Sequence, residues 1–283
     1  MPWVFVLIWS TGFVVARFAM PYAPPLSFLS LRYAISVLFL ATWTVIARAT
    51  WPTESRRWLH LAVSGVLMHA GYLGGVWSAV KLGIGAGTVA LLVGLQPVLT
   101  AIWLATTAHR SGQSRAAARE WLGLLMGLVG LALVLGGKFG IGEVTPWNLS
   151  LAVLALLSIT IGTLYQKRFL APCDVRAANA VQLLAALAVS LPFALLEPES
   201  LQWHPHLLGA LAWSVLVLTL GGSSLLYLLI QQGAATQVAS LLYLVPPCTA
   251  LMAWALFGES FTGLMLAGMM LTVAGVALVV RRG

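Results

Sequence analysis

Gly233 to Cys248 reads GAATQVASLLYLVPPC, and Gly83 to Val98 reads GIGAGTVALLVGLQPV. Gly233, Leu241, Leu242 and Pro247 fall on Gly83, Leu91, Leu92 and Pro97 at a constant offset of 150 residues. The next apolar run repeats as well. Gly268 to Val280 (GMMLTVAGVALVV) matches Gly123 to Leu135 (GLLMGLVGLALVL), with Gly123, Gly130 and Ala132 answered by Gly268, Gly275 and Ala277 at an offset of 145. The five-residue difference is assigned to the polar connector Ala108 to Ala118, because insertions belong in loops. Near the start of each copy, Arg17, Phe18 and Pro21 match Arg168, Phe169 and Pro172. Fixed order at a nearly constant offset defines two repeats, 1–140 and 141–283.

Composition says what kind of repeat this is. The chain has 60% hydrophobic and 8% charged residues and a mean hydropathy of +0.97, whereas a soluble domain has about 25% charged residues. Apolar runs of about 20 residues, the length a helix needs to cross a bilayer, alternate with short polar gaps. Strand-period alternation is absent, which excludes a membrane β-barrel. The fold class is therefore an all-α integral membrane protein. Ten spans are expected: Trp3–Met20, Ser27–Arg48, Trp58–Lys81, Gly87–Ala108, Trp121–Gly137, Trp147–Tyr165, Ala177–Leu196, Leu207–Gln231, Val238–Phe257 and Thr262–Val280. The first run has neither a basic start nor a cleavage site, so it is read as a retained span.

With the N-terminus inside, eleven of the fifteen Lys and Arg residues fall on the inner face, including Arg48, Arg56, Arg57, Lys167, Arg168 and Arg176. Both termini are accordingly expected in the cytoplasm. This placement also explains the net charge of +8 without nucleic acid as a partner. Five spans per repeat is an odd number, so the two copies enter the membrane in opposite directions, the architecture of alternating-access transporters around a central cavity. Trp3, Trp51, Trp58, Trp121, Trp147 and Trp203 stand at span ends and read as interfacial anchors. Gly71 with Gly75, and Gly123 with Gly127, permit close helix approach. Packing within one bundle, hence a monomer, is preferred to a homodimer seam.

Several motifs mislead. Gly85 to Ala90 fits a dinucleotide fingerprint but has no preceding strand and no acidic residue about 20 positions on. His204-Pro205-His206, beside Glu197 and Glu199, could hold a metal weakly, yet a solvated loop is the preferred reading. Cys173 and Cys248 read as small core hydrophobes. No HExxH or GxSxG motif and no paired carboxylate lies within the spans, so no enzyme activity and no cofactor are expected.

Polar or breakable residues inside a bilayer must face protein, ligand or water. Those in this chain are Trp9, Ser10 and Phe13 in the first span, His69, Tyr72 and Trp77 in the third, Gln96 and Pro97 in the fourth, Ser223, Ser224 and Tyr227 in the eighth, and Tyr243, Pro246 and Pro247 in the ninth. The prolines are expected as mid-span hinges and the others as substrate-binding candidates. The second, fifth, seventh and tenth spans are blander and expected on the outside. Arg32, early in the second span, either meets a substrate carboxylate or snorkels to the surface, the latter being the preferred expectation. Aromatic faces, hydroxyls, amides and one imidazole suit a small ligand with a flat apolar part and a polar end.

At this point the sequence resembles the drug/metabolite transporter superfamily, in particular its EamA branch of ten-span bacterial exporters. The resemblance rests on Trp9-Ser10-x-x-Phe13, Leu31-Arg32-Tyr33, the Pro97 and Pro247 helices, and above all Leu256-Phe257-Gly258-Glu259-Ser260 followed by the glycine-spaced last helix. It covers nearly the whole chain and departs in the first half, where Ala108 to Arg119 replaces the acidic residue usual between spans four and five. The aromatic content is similar to that of inner-membrane exporters of aromatic amino acids. This implies outward traffic of phenylalanine, tyrosine and tryptophan, and of paraquat-like drugs. A lipid-handling enzyme or flippase accessory, and a passive channel, are the competing classes.

Overall fold

The computed structural model describes residues 2–100, 102–103, 118–139, 143–170, 173–222, 225, 244–259 and 262–280. Among them there are ten helical spans and no strand: α1 (Pro2–Ala19), α2 (Pro25–Ile46), α3 (Ser55–Lys81), α4 (Ala86–Thr100), α5 (Ala118–Phe139), α6 (Pro146–Phe169), α7 (Val175–Ala194), α8 (Pro205–Gly222), α9 (Val245–Phe257) and α10 (Gly263–Val280). Five of them, α2, α3, α6, α7 and α8, are long and apolar enough to cross a membrane by length and composition, and the others are shorter apolar helices.

The helix starts follow from local chemistry. Pro25, Pro146 and Pro205 occupy the first turn of α2, α6 and α8, where a missing N–H costs nothing. Thr145 and Asn148 form a reciprocal capping box on α6. The His204 ring nitrogen caps α8 by accepting from the His206 amide at 3.2 Å. That ring also stacks on Tyr22 at 4.2 Å, so His204 is a helix cap, while Pro205 and His206 remain exposed to solvent. Asp174 caps α7 through the Arg176 amide at 2.9 Å and pairs with the Arg176 guanidinium at 2.7 Å. These hydrogen bonds from Arg176 hold the Asp174 carboxyl below the usual carboxylate range.

Helix pairing follows the repeat. α5 packs on α10, α2 on α7 and α4 on α9, each a pair of helices with the same place in the two halves. α3 against α6 is answered by α8 against α1, and α3 against α7 by α8 against α2. Glycines set the closest contact. A Cβ on Gly275 would lie 2.6 Å from the Gly123 carbonyl oxygen, and one on Gly130 would strike the Gly268 carbonyl. Shifting Gly130 and Gly123 by 145 residues gives Gly275 and Gly268, so the two contacts exchange under the repeat and the helices run antiparallel. The pairs Gly71/Gly75 and Gly123/Gly127 are likewise used within the bundle, against Ser158, Leu151 and Ala155 of α6 and against Gly275 of α10. Lipid tails supply no hydrophobic drive for helix association, so such backbone approach is what packing has to work with.

Large apolar side chains left outside, such as Leu38, Leu125, Leu191 and Met270, lie on α2, α5, α7 and α10 as expected. The division is less sharp than the composition suggests. α6 exposes Leu154, Leu157 and Ile161, α9 exposes Leu251 and Trp254, and the inner side of α2 is polar. A helix that is bland on average can still carry one functional face.

Candidate functional site

Two helices lose regular α geometry midway. α3 becomes a π-helix over Val66–Gly71 and α8 over Ser214–Gly222. The repeat offset of 150 places one on the other. A π segment widens the helix and leaves backbone groups without their usual partners, a geometry that recurs at functional sites.

Each π segment is held by a polar side chain from the α2–α7 pair. Arg32 of α2 donates from Nε and Nη2 to the Thr219 hydroxyl of α8, at 3.2 and 3.1 Å. The Thr219 hydroxyl donates in turn to the Ser214 carbonyl five residues back, at 2.9 Å. On the other side Gln182 of α7 brings a neutral amide beside the His69 side chain of α3. Arg32 and Gln182 are 150 residues apart, and so are His69 and Thr219, so one interaction occurs twice with different chemistry. Tyr33 completes the link, its hydroxyl donating to the His69 carbonyl at 2.9 Å. Tyr33 and Tyr72 both lie within electrostatic range of the guanidinium. Gly65 makes the α3–α7 approach possible, since any Cβ there would run into the Gln182 backbone.

Arg32 does not snorkel. It is 7% exposed, and among the described residues its hydrogen-bond partner is a neutral hydroxyl with no carboxylate beside it. The Ser214 and Ser36 hydroxyls are also buried without a partner. Ser36 lies one turn from Arg32 on the same face of α2.

The prolines mark helix restarts. α4 breaks at Gly94–Leu95, between the helical stretches Ala86–Val93 and Gln96–Thr100, because the ring of Pro97 cannot follow the preceding turn. The described part of α9 begins at Val245, which places Pro246 and Pro247 in its first described turn, and the expected start of the span at Val238 lies outside the described residues. A first turn is where proline is tolerated best. The two restarts meet, since a Cβ on Gly94 would lie 2.8 Å from the Pro246 ring. Gln96 ties the break to α6, its amide donating to Thr163 at 2.9 Å.

The other expected residues divide. Trp9 and His69 are partly accessible, whereas Tyr72 is buried. Ser10 is buried, back-bonded to the Val6 carbonyl at 2.7 Å, and its carbonyl accepts from Thr249 of α9 at 3.3 Å. Phe13 is buried in the core. Trp77 is 1% exposed and stacked on Phe28 at 4.5 Å, so it is packing and offers no face to a ligand. Ser223, Ser224, Tyr227 and Tyr243 lie outside the described residues. Tyr33, Gln182 and Thr219 were missed by composition, although adding or subtracting 150 at Arg32 and His69 points to two of them.

One end of the bundle is tied shut. Glu197 caps α2, accepting from the Leu26 and Ser27 amides at 2.9 and 2.7 Å and from the Ser27 hydroxyl at 2.8 Å. Lys81 pairs with Glu199 at 2.5 Å and donates to the Met20 carbonyl at 3.0 Å. Gly258, at φ 65°, ends α9 in the left-handed region open to glycine, and Glu259 then accepts from the Ala86 amide at 3.2 Å. Glu143 accepts from the neighbouring Gly85 amide at 2.8 Å. Two carboxylates thus face the positive end of α4. Apart from Lys81 to Met20, these contacts join residues numbered below 100 to residues above 140, all on the face opposite the arginine-rich connectors.

Paired helices, paired π segments and polar residues at mid-depth define a multi-pass membrane protein built from a duplicated unit. The profile of the EamA-like transporter family matches residues 3–136 and again 146–281, and the chain belongs to that family. It is 27% identical to an uncharacterized transporter, YvbV, of Bacillus subtilis (strain 168), over 97% of this chain and 88% of that one. It is 25% identical to a probable amino-acid metabolite efflux pump of Salmonella typhimurium, over 95% and 90% of the two chains. A solved crystal structure superposes with a TM-score of 0.67 at 20% identity, covering 98% of this chain and 95% of that one.

Proposed function

We propose that the protein exports small metabolites from a bacterial cell across the inner membrane, with aromatic amino acids as principal cargo and paraquat-like drugs as further substrates. Halves 1–140 and 141–283 rock about the site by alternating access, with both termini in the cytoplasm. The observation that carries the reading is the pairing of irregular helix at equivalent points of both halves: the π segments of α3 and α8, together with helical stretches that begin just before Pro97 and just before Pro246-Pro247. Interrupted helices in corresponding places are the mark of a transporter binding site. The amino-acid efflux relative supports the cargo class. Trp9, partly accessible on α1, supports a substrate with a flat apolar body. No carboxylate lies at mid-depth among the described residues, so His69 is the titratable candidate for coupling, and flux is facilitated or weakly proton-linked.

Counterflow tests this directly. Proteoliposomes loaded with unlabelled phenylalanine should transiently accumulate labelled phenylalanine, and alanine-loaded vesicles should not. Equal, non-saturating traces would mean a pore, and turnover of a lipid would mean an enzyme.

A further inference from the structure

Burying a guanidinium in a membrane bundle costs several kcal/mol unless charge or good hydrogen bonds offset it. Arg32 is 7% exposed, and among the described residues what holds it is one threonine hydroxyl. That hydroxyl is saturated: both lone pairs receive Arg32 and its proton goes to the Ser214 carbonyl. Of the buried hydroxyls without a partner, Ser36 lies one turn from Arg32 on α2, and Ser214 is the residue whose carbonyl receives Thr219. Buried hydroxyls on helices ordinarily bond back to their own turn, as Thr44, Thr160 and Thr163 do here at 2.7 Å. One buried cation with two idle donors on the neighbouring turns is a donor set that an anion would satisfy.

The duplicated position is the internal control. Where α2 carries Arg32 toward α8, α7 carries the neutral amide Gln182 toward His69 of α3. The matching place in the second half is filled by a neutral residue, so the repeat by itself does not call for a charge in the first half. We propose that Arg32, Ser214 and Ser36 form a carboxylate-binding site for the transported substrate, with Thr219 holding the guanidinium when no substrate is bound. A carboxylate matches the planar fork of arginine and would accept from the serine hydroxyls that the empty site leaves idle. The substrate is then a monocarboxylate, and the carboxyl group, more than the amine, is what admits it. This deepens the export reading above and rests on it only for the aromatic part of the ligand.

The test uses four probes with the full-length protein: phenylalanine, phenylpyruvate (carboxylate without amine), phenylalaninamide (amine without carboxylate) and alanine. Each is followed by counterflow and by the shift in melting temperature of the detergent-solubilised protein. Wild type should exchange, or be stabilised by, phenylalanine and phenylpyruvate at least tenfold better than phenylalaninamide. Arg32→Gln should erase that ratio and Arg32→Lys should restore part of it. Ser214→Ala, which leaves the arginine in place, should weaken carboxylates a few-fold while leaving the unliganded melting temperature unchanged. If phenylalanine and its amide behave alike in wild type, the site is wrong while the aromatic reading stands. If alanine is handled as well as phenylalanine and both depend on Arg32, the aromatic reading is wrong while the site stands. A folded Arg32→Gln protein with the wild-type ratio, or no shift with any carboxylate, overturns the proposal.

Discussion

Thr219→Val keeps the shape of the side chain and removes the oxygen that holds Arg32. Two charge-assisted donors, Nε at 3.2 Å and Nη2 at 3.1 Å, then lose their acceptor in a buried site. Hydrogen bonds to charged groups contribute about 1.5–3 kcal/mol, and an orphaned buried charge keeps its full desolvation cost. A loss of about 3 kcal/mol is therefore expected. Thr219→Ser, which retains the hydroxyl, should lose less than about 1 kcal/mol. Arg32→Met removes the charge and its donors together, and trading a buried ion for a well-packed apolar chain is often near neutral, so it should also cost less than about 1 kcal/mol. Adding Thr219→Val to Arg32→Met should then change little, giving a coupling of about 2–3 kcal/mol in the double-mutant cycle. Surfactant-induced unfolding in mixed micelles, followed by circular dichroism, measures each corner. A Thr219→Val protein within about 0.5 kcal/mol of wild type would refute a buried guanidinium held by this hydroxyl.

Asp174→Ala should cost about 1 kcal/mol through loss of the α7 cap. The folded Asp174 carboxyl titrates below its unfolded value, so its contribution is complete above about pH 4 and is lost as pH falls through the depressed folded value; stability curves of wild type and variant should converge in acid. Arg48 sits at φ 50° after the end of α2, with the Ala49 amide bonded to the Thr44 carbonyl at 3.0 Å. Arg48→Gly should relieve that strain and raise stability by roughly 1 kcal/mol, read as a higher melting temperature. Gly130→Leu should abolish α5–α10 contact and yield no monodisperse species on size exclusion, whereas Leu128→Ala on the lipid side of α5 should behave as wild type.

The duplicated architecture was legible because glycine and proline are punctuation that an apolar alphabet does not blur. Gly130 and Gly275 kept their spacing, and the structure uses them for one contact made twice. The π segments were less visible. Nothing in VLMHAG states that a helix will widen there, since the widening answers to what α2 and α7 bring against it. The fate of Arg32 also depended on tertiary contact: a residue so near its helix start could have reached either the surface or a partner, and only the position of Thr219 decides. Trp77 shows the opposite error. A large aromatic among glycines suggests a ligand face, but the space those glycines open is filled by Phe28 and α6.

Closure of the two halves at one end, opening only in transport, can be tested at Lys81 and Glu199, which pair across that end. In a cysteine-free background, Lys81→Cys and Glu199→Cys joined by a short cleavable bis-maleimide should stop phenylalanine counterflow, and cleaving the linker should restore it. Full exchange in the cross-linked protein would contradict alternating access through this face.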